Sequence, residues 1–394
     1  MTSTPAPSLP LAGVRVLDLT RLLPGPLATQ HLADFGAEVI KIEDTGAGDY
    51  ARTMGAMAGE TSYFFQIVNR NKKSLRLNLK HPEGKAVFLR LVESADLLFE
   101  GFRPGVMDKL GLGYETLAQL NPRLVFCSIS GYGQTGPYAL RAGHDLNYIG
   151  YAGVLDQIGR AGAAPAIPNL QIGDLLGGTM SALFGALVAL VDARSSGRGR
   201  QVDVSMTDAA FAHAIFPLTR VLAEGGVKPR GDDLLSGGVP CYGVYETADG
   251  RYMAVGALEE KFWFLVCDTL NRPDLKPLHL ATGADGERAR ARVAEIFRSE
   301  TQAHWTALFD GVDCCVTPVL KLEECLHNAQ LQARGMVMEV GGVRQFGPPV
   351  KLSGMPEALA RPAPARADQD SDAILDELGL SAEQIARLRR DGAI

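Results

Sequence analysis

The sequence lacks the features that mark several common classes of protein. Its cysteines form no C-x-x-C pair, so their spacing suits neither a zinc site nor a disulfide framework. The formal net charge is −6, so positive charge is not in excess. We therefore expect no nucleic-acid partner and no binding to an anionic membrane. Internal repeats are also absent. We expect each of the six cysteines to be a small buried hydrophobic residue: Cys127, Cys241, Cys267, Cys314, Cys315 and Cys325.

Targeting and membrane signals are equally scarce. Met1 to Pro10 lacks the basic and apolar segments of a signal peptide, and Asp391 to Ile394 is not a peroxisomal S-K-L signal. One apolar run, Leu175 to Val191, is shorter than the roughly 20 residues that cross a bilayer. We therefore expect a helix buried against a sheet, no membrane, and a location in the reducing cytoplasm.

The residues that are present indicate a globular protein of two domains. The chain has 394 residues, of which 46% are hydrophobic and 21% charged. Strand and helix patterns alternate through the first half, which predicts an α/β fold with a parallel sheet. The predicted strands are 14–19, 38–43, 97–100, 124–129 and 201–205, and the predicted helices are 27–35, 82–94 and 175–194.

The pattern changes after about Ala210. A hairpin is predicted around Ala248-Asp249-Gly250, followed by helices at 261–270 and 286–297. A capping box at Ser381 opens a last helix at 382–390, after a Pro- and Ala-rich stretch at 355–367. The predicted organisation is a large domain beginning with 1–210, a linker at 211–235, a small α+β domain at 236–332, and a linker with the C-terminal segment at 333–394.

A glycine motif, Gly131-x-Gly133-x-x-Gly136, follows a predicted strand. A nicotinamide site would also need an acidic residue at the end of a second strand about 20 residues later, and none is there. We interpret the motif as a tight glycine loop against another kind of ligand.

Basic residues cluster between Asn69 and Lys80, and Arg103 and Lys109 follow. The cluster is either a solvated face or a cradle for phosphate groups, in which several cations offset a polyanion on an acidic protein.

Three further residues have both structural and chemical interpretations. His144 can be interpreted either as a structural histidine or as a catalytic one. Asp174 opens a long helix, where it is an N-cap or, because a helix N-terminus favours the carboxylate, an ionised group that accepts a proton or attacks a carbonyl. Glu259 would ordinarily be a surface residue.

Several segments together resemble the family III CoA-transferase group, in order from about Leu11 to Ala210 and more loosely to Lys351. Two further regions, 142–148 and 237–259, resemble its α-methylacyl-CoA racemase branch. The segments that carry the family resemblance are LDLTRLLPGP (17–26), NRNKKS (69–74), GFRPG (101–105), SGYGQTGP (130–137) and IGD (172–174).

The resemblance implies a fold and an assembly. The large domain would be Rossmann-like and built from both chain ends, and the small domain α+β. Two chains would interlock as a homodimer, with the active site between the large domain of one subunit and the small domain of its partner.

The resemblance also implies an activity, which is inversion of the α-carbon of 2-methylacyl-CoA thioesters. His144 and Asp174 would be the two proton carriers, Glu259 would hold His144, and backbone N–H groups at the start of the Asp174 helix would stabilise the enolate oxygen. No metal and no cofactor beyond the CoA moiety would be needed. The alternative is a CoA-transferase of the same family, with Asp174 as the nucleophile. Transferases of this family usually have no histidine at the position of His144.

For CoA itself, six residues are expected to bind, five of them from the resemblance and Arg103 from the basic residues. One departure concerns Asp44, because many relatives have an arginine there that binds a CoA phosphate; Lys41 and Arg52 are the candidates to replace it. The expected CoA-binding residues are Leu22, Leu23, Leu77, Lys80, Arg103 and Lys109.

Overall fold

The computed structural model describes residues 9–355 and 360–394. The strands are β1 (Arg15–Asp18), β2 (Glu38–Glu43), β3 (Met57–Ala58), β4 (Thr61–Ser62), β5 (Lys73–Arg76), β6 (Leu97–Glu100), β7 (Val125–Ser130), β8 (Gln201–Ser205), β9 (Tyr242–Glu246), β10 (Tyr252–Gly256), β11 (Val316–Pro318), β12 (Val337–Val340) and β13 (Val343–Phe346). The α-helices are α1 (Pro24–Asp34), α2 (Tyr63–Asn69), α3 (Pro82–Val92), α4 (Val106–Lys109), α5 (Tyr114–Leu120), α6 (Asp145–Tyr151), α7 (Ser181–Ser196), α8 (Met206–Ala212), α9 (Ile215–Glu224), α10 (Glu260–Thr269), α11 (Gly283–Arg298), α12 (Gln302–Phe309), α13 (Leu322–Cys325), α14 (Ala329–Ala333), α15 (Ser371–Glu377) and α16 (Ala382–Arg390).

The chain divides into two compact units. The larger unit contains the described residues up to Ala152, Leu170–His213, and those from Gln332 onward. The smaller unit contains Gly153–Asn169 and Ala214–Leu331.

The predicted boundaries differ from this division at two places. The segment 153–169 was expected in the large domain but belongs to the smaller unit, and the predicted linker 211–235 contains helix α9 of that unit. The physical reason is Arg230, which forms an ion pair with Asp156 and donates hydrogen bonds to the carbonyls of Asp156 and Ala163. These contacts attach the segment 153–169 to the smaller unit.

A six-stranded sheet forms the centre of the larger unit, in the order β5-β2-β1-β6-β7-β8. Every neighbouring pair is parallel, which confirms the predicted α/β fold. Successive residues of a strand point to opposite faces. Val16 accordingly belongs to the core on one face and Leu17 to the core on the other. The sheet is covered on both sides, as parallel sheets usually are.

Strand β5 was not predicted, because its two basic residues suggested a solvated face. Its Leu75 is buried in the same core cluster as Ile374, Leu375, Ile385 and Leu388 of helices α15 and α16. The end of the chain therefore packs on this sheet. The predicted linker from 333 also contains the hairpin β12–β13, and residues 356–359 of the Pro- and Ala-rich stretch lie outside the described residues, as do residues 1–8 of the N-terminal segment.

The long apolar helix runs from Gly173 to Ser196, with π-helical geometry over Gly173–Met180 before α7. By length and composition alone it could cross a membrane. Its alanine face, including Ala182, Ala186 and Ala189, packs in the core as predicted, but the opposite face exposes apolar side chains. A Cβ at Gly178 would lie 2.5 Å from Cβ of Pro24, so glycine permits the close contact with α1. The exposed side chains include Phe184, Leu187, Val188 and Val191.

The smaller unit has a three-stranded antiparallel sheet in the order β11-β10-β9. Trp263, Phe297 and Trp305 are buried in its core, and each tryptophan N–H donates to a backbone carbonyl.

The cysteines follow the predicted burial at four of six positions. Cys127, Cys241, Cys267 and Cys314 are buried, and all six are free thiols. The prediction is wrong for Cys315, which is exposed, and for Cys325, which is half-buried.

Candidate active site

Two of the five basic residues in the cluster 69–80 belong neither to a solvated face nor to a phosphate cradle. The Arg70 guanidinium is buried and makes a bidentate pair with Asp34, at 2.6 and 2.9 Å. Lys72 is buried beside Asp18, with Nζ 2.9 Å from the carboxylate oxygen. A buried cation is tolerated when it is paired. Both predicted interpretations are wrong for these two residues, whose charges are paired inside the larger unit.

The two residues expected to replace an arginine at position 44 are also occupied. Lys41 is buried and pairs with Asp49 at 2.7 Å. Arg52 pairs with Glu43 and donates to the carbonyls of Pro364 and Ala365. Neither side chain is available to an anionic ligand.

A cavity of about 620 Å³ lies at the carboxyl ends of β1, β6 and β7, which we call the first cavity. Ligands of open parallel sheets commonly bind at this edge. The first cavity brings together three of the predicted residues, which are Leu22, Arg103 and His144. Gly131 of the glycine motif also lines it, in agreement with a glycine loop against a ligand.

A second cavity of about 580 Å³ is lined by Leu77, Lys80 and Asp44. It shares Leu19, Arg21 and Phe102 with the first cavity, so the two are adjoining parts of one cleft. Four predicted residues line neither part, which are Leu23, Lys109, Asp174 and Glu259. Leu23 is the N-cap of α1, and Lys109 is exposed at the end of α4.

Leu22 has a strained backbone, with φ of 64°. Its N–H donates to the Asp49 carboxylate at 3.1 Å, which fixes this conformation. Left-handed geometry in a residue other than glycine costs about 1–3 kcal/mol and is often found at ligand sites.

His144 is the exposed N-cap of α6, and its backbone N–H donates to Asn147 Oδ1. Tyr148, on the next turn, donates its hydroxyl to the carbonyl of Gly143. A Cβ at Gly131 would lie 2.3 Å from the Tyr148 ring, so only glycine allows this packing. The glycine loop and α6 thus fix the backbone that presents His144 to the first cavity.

Asp174 lies in the first turn of the long helix, where its backbone N–H donates to Asp145 Oδ1 at 3.0 Å. Because Asp145 directly follows His144, this hydrogen bond joins the helix starts that carry the two candidate proton carriers. Burial, and secondarily the negative charge of Asp145, raise the pKa of Asp174 to about 7. The expectation that the helix N-terminus keeps Asp174 fully ionised is therefore wrong.

Backbone N–H groups at this helix start were expected to stabilise an enolate oxygen, but two of them already have hydrogen-bond acceptors. The N–H of Asp174 is used by Asp145, and the N–H of Leu175 donates to the carbonyl of Gln171. These two groups do not offer a free hydrogen to an enolate oxygen.

Glu259 lies in the smaller unit, where it is the exposed N-cap of α10. Within residues 9–355 and 360–394, no group of three or more His, Cys, Asp or Glu residues is placed to hold a metal ion.

Comparison with known proteins identifies the family, because the family model described as CoA-transferase family III matches residues 11–371. The chain belongs to this family. An α-methylacyl-CoA racemase from Mus musculus is 38% identical over 384 residues, covering 97% of this chain and 96% of that protein. An acetyl-CoA:oxalate CoA-transferase from Acetobacter aceti is 35% identical over 95% of this chain and 97% of its own. A crystal structure of a CAIB/BAIF family protein from Brucella suis matches with a TM-score of 0.83 at 29% identity, covering 94% of this chain and 100% of that one.

Sequence reasoning missed three residues of this candidate site. Asp145 touches the backbone of Asp174, Arg141 lines the first cavity, and Arg21 lines both cavities. Asp145 and Arg141 stand within four residues of His144, so their position in the same segment was the available signal. Arg21 stands in the LDLTRLLPGP segment directly before the predicted Leu22, which was the available signal, but its position between two cavities is visible only in the folded chain.

Proposed function

We propose that this protein is an α-methylacyl-CoA racemase that inverts the α-carbon of 2-methylacyl-CoA thioesters. The observation that carries the proposal is the hydrogen bond between Asp145 and the N–H of Asp174, which joins the helix starts of His144 and Asp174. The hydrogen bond thereby connects the start of the helix that carries His144, which lines a ligand-sized cavity, with the start of the helix that carries a carboxyl of raised pKa. The similarity to the Mus musculus racemase supports the same activity.

The chemistry follows from the acidity of the carbon next to a thioester. One group removes the α-proton, the electron pair moves onto the carbonyl as an enolate, and a second group returns a proton to the opposite face. Neutral His144 removes the proton while protonated Asp174 supplies one, and the reverse direction exchanges the roles. General acid–base groups work best with a pKa near the operating pH, and a pKa of about 7 suits Asp174 to both roles.

In the proposed mechanism, Glu259 of the partner subunit hydrogen-bonds His144 and fixes its tautomer, as carboxylates do for other catalytic histidines. Its exposed position at the start of α10 supports this proposal, because the side chain is available to an element outside its own unit.

The test is incubation of one pure enantiomer of a 2-methylacyl-CoA in D₂O, with no carboxylic acid acceptor present. We expect loss of optical purity together with one deuterium per inverted molecule, because the returned proton comes from a group that exchanges with solvent. Mass spectrometry and chiral chromatography measure both. A CoA-transferase would leave the α-hydrogen in place without an acceptor, and that outcome would exclude the racemase.

We also propose a homodimer that does not dissociate on dilution. The exposed apolar face of Gly173–Ser196, and in the smaller unit the exposed Phe216 and Leu222 of α9, support it, because monomers rarely leave large apolar patches in water. Sedimentation at decreasing concentration should show a single species of twice the chain mass. A fully active monomer would disprove the assembly and the shared site.

A further inference from the structure

Arg21 lies where the two cavities meet. Its side chain lines both of them, as do those of Leu19 and Phe102. The guanidinium carbon is 5.5 Å from the centre of the Tyr50 ring and 5.9 Å from that of Phe102, so two aromatic rings flank the charge. The Arg21 guanidinium therefore places a positive charge where the two cavities meet.

The charge of Arg21 is balanced by a partner that is easily exchanged. Its Nη2 is 2.5 Å from the Asp44 carboxylate, and the two side chains are 30% and 40% exposed. Ion pairs at such partly exposed positions contribute little free energy. This distinguishes Arg21 from Lys41 and Arg52, whose carboxylate partners are buried.

Asp44 does not need Arg21 to keep its position. Its Oδ1 accepts hydrogen bonds from the backbone N–H groups of Gly46 and Gly48, at 2.7 and 3.3 Å. Arg21 can therefore change partner while the loop at Asp44 stays in place.

We propose that Arg21 binds the diphosphate of the CoA moiety and exchanges Asp44 for it. The inference rests on the proposed acyl-CoA function, in which the thioester lies near His144 in the first cavity and the adenosine end near Lys80 in the second. The diphosphate links those two parts of CoA, so it falls at the junction that Arg21 lines. A guanidinium forms two parallel hydrogen bonds to phosphate oxygens, which a single carboxylate contact does not match.

Asp44 then limits affinity. When the diphosphate has taken Arg21, the Asp44 carboxylate is left without that cation and beside a like charge, which opposes binding. Arg21 supplies the cation for the diphosphate, and Asp44 restrains it in the free enzyme.

The experiment compares binding of CoA, dephospho-CoA, which lacks the 3′-phosphate, and pantetheine, which lacks the diphosphate and adenosine. Calorimetry should show Arg21→Gln raising Kd about 10- to 100-fold for CoA and dephospho-CoA but not for pantetheine. Asp44→Asn should lower Kd several-fold for the same two ligands. Lys80→Ala should weaken binding of CoA alone, since Lys80 faces the ribose phosphate.

A matched control is Arg200→Gln, which removes another exposed arginine paired at 2.5 Å, with Asp192, away from both cavities. It should leave every Kd unchanged. An equal loss for pantetheine in Arg21→Gln, or unchanged binding of CoA, would overturn the role of Arg21. Unchanged or weaker CoA binding in Asp44→Asn would overturn the exchange. If the wild type binds none of the three ligands, the proposed function itself fails.

Discussion

His144→Ala is expected to lower the rate of α-carbon inversion by about 10²- to 10⁴-fold at saturating substrate, which is the usual contribution of a general acid–base group. Inversion needs proton carriers on both faces of the carbon, and the substitution removes one of them. The side chain is exposed, so its loss creates no cavity in the core. Chiral chromatography measures the rate, and calorimetry with CoA should give the wild-type Kd.

The matched control is His213→Ala. His213 is an exposed histidine of the same unit whose ring contacts only the carbonyl of Ala209 among its described hydrogen bonds. It should keep wild-type turnover. Under the transferase hypothesis His144→Ala would remain active in CoA transfer, and hydroxylamine would trap an acyl group on Asp174 of the wild type. Retained racemisation in His144→Ala would refute the mechanism proposed here.

The parallel sheet could be predicted because its strands carry short apolar runs between helical patterns. Strands β2, β6 and β8 have the predicted bounds. Strand β5 could not be found in this way, because Lys73 and Arg76 at its ends are polar and its core contact is a single leucine, Leu75, whose partners lie some 300 residues later in the chain. An edge strand whose partners are distant in sequence has little local signal.

The candidate site was predictable to the extent that short motifs carry it. Leu22, Arg103 and His144 belong to motifs and do line one cavity. The charges of Arg70 and Lys72 were misjudged because their acidic partners, Asp34 and Asp18, come from other elements. Pairing and burial are properties of the tertiary structure, so composition cannot distinguish a buried ion pair from a ligand site.

The same limit explains Asp174. Its position at a helix start favours the carboxylate by local electrostatics, worth about 0.3–1 kcal/mol at exposed sites. Burial and the neighbouring Asp145 act in the opposite direction and exceed it, because they raise the pKa of Asp174 to about 7. A sequence shows the helix start but not the burial.

Asp174→Asn is expected to lower inversion by about 10²- to 10⁴-fold and to stabilise the protein near neutral pH. An unfolded aspartate has a pKa of about 3.9, so between about pH 4 and pH 7 the folded state binds more protons and loses stability as pH rises. Asparagine removes that loss. Above about pH 7 we expect the free energy of unfolding to increase by roughly 1–3 kcal/mol, discounted because the side chain is partly exposed. Denaturant titrations at about pH 4 and pH 8 measure the difference.

Asp145→Asn separates the charge of Asp145 from its hydrogen bond, because an asparagine oxygen can still accept from the N–H of Asp174. Without the like charge, the pKa of Asp174 falls. In the direction in which Asp174 supplies the proton, the rate falls as pH rises through the pKa of Asp174, so a lower pKa moves that fall to lower pH. The pH optimum of inversion should therefore move to lower pH. Asp174→Asn removes the titrating carboxyl, so no such shift is expected in that variant. An optimum that stays in place or rises in Asp145→Asn would mean that Asp174 does not supply the proton.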